Sequence, residues 1–139
     1  MDWRGAGRTR RAGKEDWMKY GVSYYPEHKT ADELEADLVL LKQSGINTVR
    51  MGEFAWCRME PHEGQFDFEW LAKVVEELGR AGIGTVLCTP TACPPSWLIK
   101  KHPDILYMDN RRIRRPFGGR RHYCYNNGTY RKYSVRIAE

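Results

Sequence analysis

One stretch largely decides how this chain folds: Gly45-Ile46-Asn47-Thr48-Val49-Arg50-Met51-Gly52-Glu53-Phe54-Ala55-Trp56. Its apolar residues predict a strand that is buried on both faces, as in a parallel sheet. Gly52 allows the backbone to turn, so we expect Glu53, Phe54 and Trp56 to project from the carboxyl end of that strand. This edge carries the chemistry in parallel α/β folds, and a carboxylate beside aromatic rings there is typical of a sugar-binding site.

The same pattern recurs at Gly82-Ile83-Gly84-Thr85-Val86-Leu87-Cys88-Thr89-Pro90, where the two leading glycines are 37 residues apart. A period of this length, with one helix and one buried strand, is typical of a βα unit. An earlier strand is predicted at 20–25, before Pro26. We therefore predict three parallel strands that neighbour one another in one sheet.

Helices are predicted after each of these strands. Thr30 and Glu33 match a capping box at the start of the first helix. The apolar stripe of this helix is formed by Leu34, Leu38 and Leu41, and Gly45 is predicted to end it.

A second helix is predicted to begin with Asp67 as its N-cap. Its apolar stripe consists of Leu71, Val74, Val75 and Leu78. After a loop of more than thirty residues, a last helix is predicted from about Thr129, with Tyr133 and Ile137 one turn apart. Loops of that length within compact domains are usually functional. The predicted fold class is α/β, namely the first three βα units of a truncated (β/α)₈ or TIM barrel, which in full needs about 250 residues.

Charge divides the chain into regions, although its net charge is only +5. Residues 1–19 carry six basic and three acidic groups, residues 20–109 carry eight and fourteen, and residues 110–139 carry nine and one. We expect 1–19 to be a basic, disordered extension and 20–139 to be one partial domain; whether the protein starts at Met1 or Met18 stays open. The beginning lacks an apolar run, so we expect neither a signal peptide nor membrane binding, and a cytoplasmic location.

Four motifs, in order, carry a family resemblance: Tyr20 to His28 (YGVSYYPEH), Gly52 to Trp56 (GEFAW), Thr89 to Leu98 (TPTACPPSWL) and Arg120 to Cys124 (RRHYC). Together they resemble the N-terminal part of the catalytic domain of glycoside hydrolase family 42 β-galactosidases. The resemblance implies a TIM barrel and a retaining glycosidase acting on terminal β-D-galactosides in carbohydrate metabolism. It also implies a homo-oligomer, often a trimer, with no required cofactor.

The same resemblance assigns roles to particular residues. The acid/base and nucleophile glutamates are expected beyond Glu139, so no catalytic residue is predicted within this chain and the isolated chain is expected to be inactive. Arg120 matches the family arginine that binds galactose. Glu53 and Trp56 are weaker substrate-binding candidates; for Glu53 the alternative is a structural carboxylate that accepts backbone N–H bonds.

Cysteine usage predicts reduced thiols, because Cys57, Cys88, Cys93 and Cys124 form no C-x-x-C pair. The resemblance places Cys124 in a cluster that holds structural zinc in some family members. One thiol cannot hold zinc, so any such site belongs to the full-length enzyme.

Two alternatives to the glycosidase interpretation stay open. Residues 110–136 interleave basic side chains with tyrosines, which is typical of single-stranded nucleic-acid binding, although the βα framework favours no nucleic-acid partner. The chain could also be an inactive truncated remnant.

Overall fold

Three short parallel strands lie at the centre of the computed structural model, which describes residues 18–119 and 122–139. Strands β1 (Gly21–Ser23), β2 (Thr48–Met51) and β3 (Gly84–Leu87) are hydrogen-bonded in the order β1-β2-β3. Val22 pairs with Val49, which in turn pairs with Thr85. The prediction of an α/β fold with three neighbouring parallel strands is confirmed.

Five α-helices are present in the described residues: α1 (Ala31–Gln43), α2 (Trp56–Met59), α3 (Glu69–Arg80), α4 (Ser96–Lys101) and α5 (Gly128–Ala138). Short 3₁₀ turns occupy Pro26–His28, Pro90–Ala92 and Pro103–Ile105. Strand β1 is shorter at both ends than the predicted strand over 20–25, and the first of these turns follows it at Pro26.

The first predicted helix is confirmed in detail. The Thr30 hydroxyl accepts from the Glu33 amide, and the Glu33 carboxylate accepts from the Thr30 amide at 2.7 Å. Gly45 follows the C-cap of α1, Ser44, and has the positive φ of 71° that is typical of a glycine after a helix. The predicted stripe of Leu34, Leu38 and Leu41 packs on the core.

The helix predicted from Asp67 begins later than expected. Helix α3 starts at Glu69, and Asp67 Oδ1 accepts from the Glu69 amide at 3.1 Å instead of capping at its own position. Leu71, Val74 and Leu78 are buried as predicted. Val75 is exposed, so its assignment to the buried stripe was wrong.

The core lies on one face of the sheet. Val49 and Met51 of β2 are fully buried, whereas Arg50 between them is exposed, as alternation along a strand requires. Val86 and Leu87 of β3 are exposed.

The long segment between β3 and α5 is more ordered than predicted. It contains α4 and isolated antiparallel bridges that pair Leu106 with Tyr123 and Met108 with Arg114. Asn127 caps α5 by accepting from the Tyr130 amide at 2.9 Å. Tyr133 and Ile137 are buried, which confirms the predicted helix and its apolar face.

Two further predictions concern membrane binding and the N-terminal extension. Within 18–119 and 122–139, no helix is both long and apolar enough to cross a membrane. Residues 1–17 lie outside the described residues, so the predicted disordered extension over 1–19 stays a prediction.

Candidate functional site

Gly52 controls how the chain leaves strand β2. Its φ is 94°, and a Cβ atom there would stand 3.1 Å from the carbonyl oxygen of Cys88, the residue that follows β3. A side chain would therefore be strained both by its backbone angle and by this close approach. The sharp turn delivers Glu53 and Phe54 to the carboxyl edge of the sheet.

Glu53 is nearly completely buried, with 4% of its surface exposed. Its Oε1 accepts from Nη1 of Arg50 at 2.6 Å, and the Arg50 side chain is half exposed. Its Oε2 is buried and has no hydrogen-bond partner among the described residues. In the described part of the chain, Glu53 accepts from an arginine side chain, not from the backbone N–H groups of the structural alternative.

Trp56 differs from its predicted role. The ring is fully buried, and its Nε1 donates to Glu60 Oε2 at 3.0 Å. This burial argues against stacking of a sugar on Trp56. Exposed aromatic rings at this edge belong instead to Tyr25 and Phe54, whose centroids are 5.8 Å apart.

The loops that follow β1 and β2 are fastened to each other. Arg58 of α2 donates through Nη1 to the carbonyl oxygens of Glu27, at 2.8 Å, and of Pro26, at 3.3 Å. Both carboxylate oxygens of Glu27 are buried, and no side chain or backbone group of residues 18–119 and 122–139 forms a hydrogen bond with them. The sequence motif containing Glu27 was recognised, but only the structure reveals that its carboxylate is buried.

A second polar cluster joins the loop after α2 to helix α5. Glu60 is fully buried, and its carboxylate accepts from the indole of Trp56, from the Gly64 amide at 2.7 Å and from Arg136. The Arg136 guanidinium also lies over the Tyr133 ring, 4.6 Å from its centroid. This cluster was not predicted, since its members are up to 76 residues apart.

Glu63 extends this cluster towards the surface. Its carboxylate accepts from Lys101 and from the Tyr133 hydroxyl, each at 2.6 Å. The bond from Lys101, followed by that from Tyr133, lowers the pKa of Glu63 below its usual value. The same contacts raise the pKa of Lys101 and of Tyr133.

The four cysteines are free thiols, as predicted. Cys57 is exposed, and Cys88, Cys93 and Cys124 are half-buried. Burial raises the pKa of the Cys93 thiol, which disfavours the thiolate.

A structural zinc ion does not fit the described residues by themselves. Across 18–119 and 122–139, no three His, Cys, Asp or Glu side chains are grouped so that they could hold a metal ion. Cys124 could contribute one thiolate at most, whereas structural zinc takes four ligands.

Arg120 lies outside the described residues, so its role stays a prediction. Other members of the basic segment have defined partners. Arg114 donates through Nη1 to the carbonyl oxygens of Asp104 and Leu106, at 3.0 and 3.1 Å. Tyr123 and Tyr130 are buried and stack on each other with centroids 4.6 Å apart.

Comparison with known proteins places this geometry in a family context. The family model described as Beta-galactosidase, glycoside hydrolase family 42, matches residues 23–139. Beta-galactosidase BgaH of Haloferax lucentense is 48% identical over 120 residues, which is 86% of this chain and 18% of that protein. A beta-galactosidase of Thermus thermophilus is 44% identical over 117 residues, covering 84% of this chain and 18% of its own length.

Solved structures agree with the sequence matches. The β-galactosidase of the Antarctic haloarchaeon Halorubrum lacusprofundi has a TM-score of 0.81 at 46% identity, over 86% of this chain and 18% of that one. The enzyme of Marinomonas ef1 gives the same TM-score and coverage at 41% identity. The chain thus spans about one fifth of the length of these relatives. Since the family model matches most of its residues, the chain belongs to glycoside hydrolase family 42, the β-galactosidases.

Proposed function

We propose that this chain forms the first three βα units of a TIM barrel in a retaining β-galactosidase that acts on terminal β-D-galactosides in carbohydrate metabolism. The observation that carries the proposal is the joint match in sequence and fold to solved β-galactosidases over 86% of the chain. The parallel sheet with a buried carboxylate at its carboxyl edge supports it, because TIM-barrel enzymes place their sites at that edge.

In this proposal the chain supplies part of the site wall and not the reacting carboxyl groups. Retention requires two carboxyl groups about 5–5.5 Å apart, one as acid/base and one as nucleophile. The family resemblance places both beyond Glu139. Arg120 binds galactose with its fork of donors, and Glu53 supports or contacts the sugar.

The remaining functional assignments are also proposals. The complete enzyme works in the cytoplasm as a homo-oligomer, a trimer on the family precedent, and needs no cofactor for the reaction. A structural zinc ion, with Cys124 as one ligand, requires further ligands outside the described residues.

Single-stranded nucleic-acid binding gains little support from the basic segment. Of the four tyrosines interleaved among its arginines, Tyr123, Tyr130 and Tyr133 are buried and only Tyr125 is exposed. Bases stack on exposed rings, so the described part of this segment offers a poor platform.

Hydrolysis of a chromogenic β-galactoside tests the proposal. The 139-residue chain is compared with a fusion in which Glu139 is followed by the corresponding remainder of the Halorubrum lacusprofundi enzyme. Only the fusion should be active, and proton NMR should show the β-anomer of galactose as the first product. The Arg120→Ala variant should lower kcat/KM by about tenfold to a hundredfold, because a charged hydrogen bond to the substrate is lost.

Arg121→Ala, at the adjacent arginine, is the matched control and should retain most of the activity. Turnover by the 139-residue chain itself would contradict the assignment of both carboxyl groups to later strands. A larger loss for Arg121→Ala than for Arg120→Ala would contradict the role given to Arg120.

A further inference from the structure

Two cysteines lie on the neighbouring loops that follow β2 and β3. Cys57 belongs to α2, the short helix after β2, and Cys93 directly follows the 3₁₀ turn Pro90–Ala92 after β3. The two strands pair in parallel, so both loops leave the sheet from the same edge. Both thiols are free in the structure. The fold therefore carries two thiols that are distant in sequence on adjacent loops.

Contacts between the two loops enclose the cysteines on both sides. At the strand exits, the amide of Cys88 donates to the last residue of β2 at 2.9 Å. Further along, the indole of Trp97 donates to the carbonyl oxygen of Glu60 at 2.9 Å. Cys57 lies between these two contacts along its loop, and Cys93 does so along the other. The segments that carry the two thiols therefore run next to each other.

The electrostatic environment of Cys93 agrees with this placement. Burial raises the pKa of its thiol, and the charge of Cys57 raises that pKa further. A like charge has this effect only when it is nearby. The two sulfur atoms are thus neighbours across the gap between the loops.

The backbone on both sides of this gap is well held. Pro90 begins the turn before Cys93, Pro94 and Pro95 follow it, and all three prolines are buried. Proline fixes φ, so this loop has few conformations available. On the other side, the Asp67 amide donates to the last residue of α2 at 2.8 Å. Joining two segments that are already held costs little conformational entropy.

The two thiols differ in their access to solvent. Cys57 is exposed, whereas Cys93 is half-buried. A small molecule can therefore reach Cys57 directly, and Cys93 is placed to react with whatever has formed on Cys57. An accessible thiol beside a second, resolving thiol is the arrangement that favours disulfide formation over a lasting modification of one cysteine.

We propose that Cys57 and Cys93 form a thiol–disulfide exchange site that is oxidised by small-molecule disulfides, with glutathione disulfide as the probe. The Cys57 thiolate attacks one sulfur of glutathione disulfide, whose S–S bond breaks, and one glutathione leaves as a thiolate and takes up a proton. Cys93 then loses its proton and attacks the Cys57 sulfur of the mixed disulfide. The Cys57–Cys93 bond forms, and the second glutathione leaves in the same way. Two protein thiols are oxidised, and one glutathione disulfide is reduced to two thiols.

The bond would link the exits of β2 and β3 covalently. It goes beyond the proposed β-galactosidase function, because it needs no sugar and uses no residue that was assigned to the reaction. Reduced glutathione reverses it by the same two exchange steps. The two loops would therefore be joined or released according to the thiol–disulfide balance around the protein.

Equilibration of the 139-residue chain with glutathione disulfide and reduced glutathione in defined ratios tests this site. After acid quenching and alkylation of the remaining thiols, peptide mass mapping identifies which cysteines are bridged. The expected product is the Cys57–Cys93 bridge. Its equilibrium constant should be at least about tenfold larger for the folded chain than for the chain unfolded in urea, because a bridge that fits the fold is favoured by it.

Serine variants separate the roles of the two thiols. Cys93→Ser should stop at the mixed disulfide between Cys57 and glutathione, because the resolving thiol is missing. Cys57→Ser should form little disulfide of either kind. A chain with both Cys88→Ser and Cys124→Ser is the matched control and should form the bridge as the parent chain does. Should a variant fail to fold, mapping of the bridges in the parent chain still decides the question.

Three results would overturn the proposal. Bridges that join Cys88 or Cys124 would show that other thiols are closer. Mixed disulfides that never convert to a bridge would show that the Cβ atoms cannot reach the separation of about 3.5–4.5 Å that a disulfide needs. Equal equilibrium constants for the folded and the unfolded chain would show that the fold does not bring the thiols together. None of these results bears on hydrolysis of galactosides by the fusion, since the readout contains no sugar.

Discussion

Replacing Arg136 by alanine should strongly destabilise the packing of helix α5. The substitution leaves the fully buried carboxylate of Glu60 without its cationic partner. Trp56 and Gly64 would still donate to Glu60, but these neutral donors cannot compensate a buried charge as a guanidinium does.

The expected decrease in the free energy of unfolding is large for the substitution of one partly exposed residue. Breaking a buried ion pair by removing one partner costs about 3–5 kcal/mol. The Arg136 side chain is 34% exposed, so we expect the lower end, about 3 kcal/mol. If the free energy of unfolding decreases by about 2 kcal/mol per molar urea, the urea concentration at the unfolding midpoint should fall by about 1.5 M.

Urea unfolding followed by tryptophan fluorescence provides the assay, and Arg80→Ala is the matched control. Arg80 pairs with Glu76 on the surface of α3, where both side chains are largely exposed, so its loss should cost about 0.5 kcal/mol or less. A double-mutant cycle with Glu60→Gln should show that Arg136→Ala is less harmful once the buried charge is gone. Equal midpoints for Arg136→Ala and Arg80→Ala would refute the reasoning.

Two further predictions concern the strand exit and the response to acid. Gly52→Ala should lower the free energy of unfolding by about 3 kcal/mol, against about 1 kcal/mol for Gly45→Ala; both glycines have positive φ, but only at Gly52 would a Cβ meet neighbouring atoms. Equal urea midpoints for these two variants would contradict the close approach. The pKa of Glu63 is lowered in the folded chain because the lysine at the end of α4 donates to it. Its contribution to stability is therefore present above the unfolded pKa of 4.5 and lost as the pH falls through the folded value. Urea midpoints of the parent chain and Glu63→Gln should differ at about pH 7 and converge as the pH falls through the lowered pKa of Glu63; a constant difference would contradict the assigned shift.

Local sequence patterns predicted the framework of the fold correctly. The capping box at Thr30 and the glycine after α1 act within one turn of the chain, so their consequences are visible in the sequence. The same holds for the parallel strands, because βα units of this spacing have one favoured crossover. The barrel itself stays a prediction, since three strands do not close.

Errors arose where distant contacts override local pattern. Val75 fits the apolar periodicity of α3, yet it faces solvent in the structure. Trp56 follows the strand exit and was expected at the surface, but its indole turns inward to the buried Glu60. The short helix α4 lies in the segment of more than thirty residues for which the sequence predicted only a loop.

The candidate site was partly predictable. The strand exit at Gly52 and the carboxylate of Glu53 follow from the sequence, as does the assignment of the family. The pairing of Glu53 with Arg50 and the burial of the Glu27 carboxylate depend on side-chain positions that no local pattern encodes.

The attachment of α5 has a consequence for the order of folding. Its hydrogen bonds to earlier parts of the chain span 39 residues from Tyr130 to Thr91, 70 from Tyr133 to Glu63 and 76 from Arg136 to Glu60. Contacts of such high sequence separation form slowly, because the chain must lose the entropy of closing a long loop before the contact can stabilise it. We therefore expect α5 to dock late during refolding and its amides to acquire protection against hydrogen exchange after those of β2 and α3.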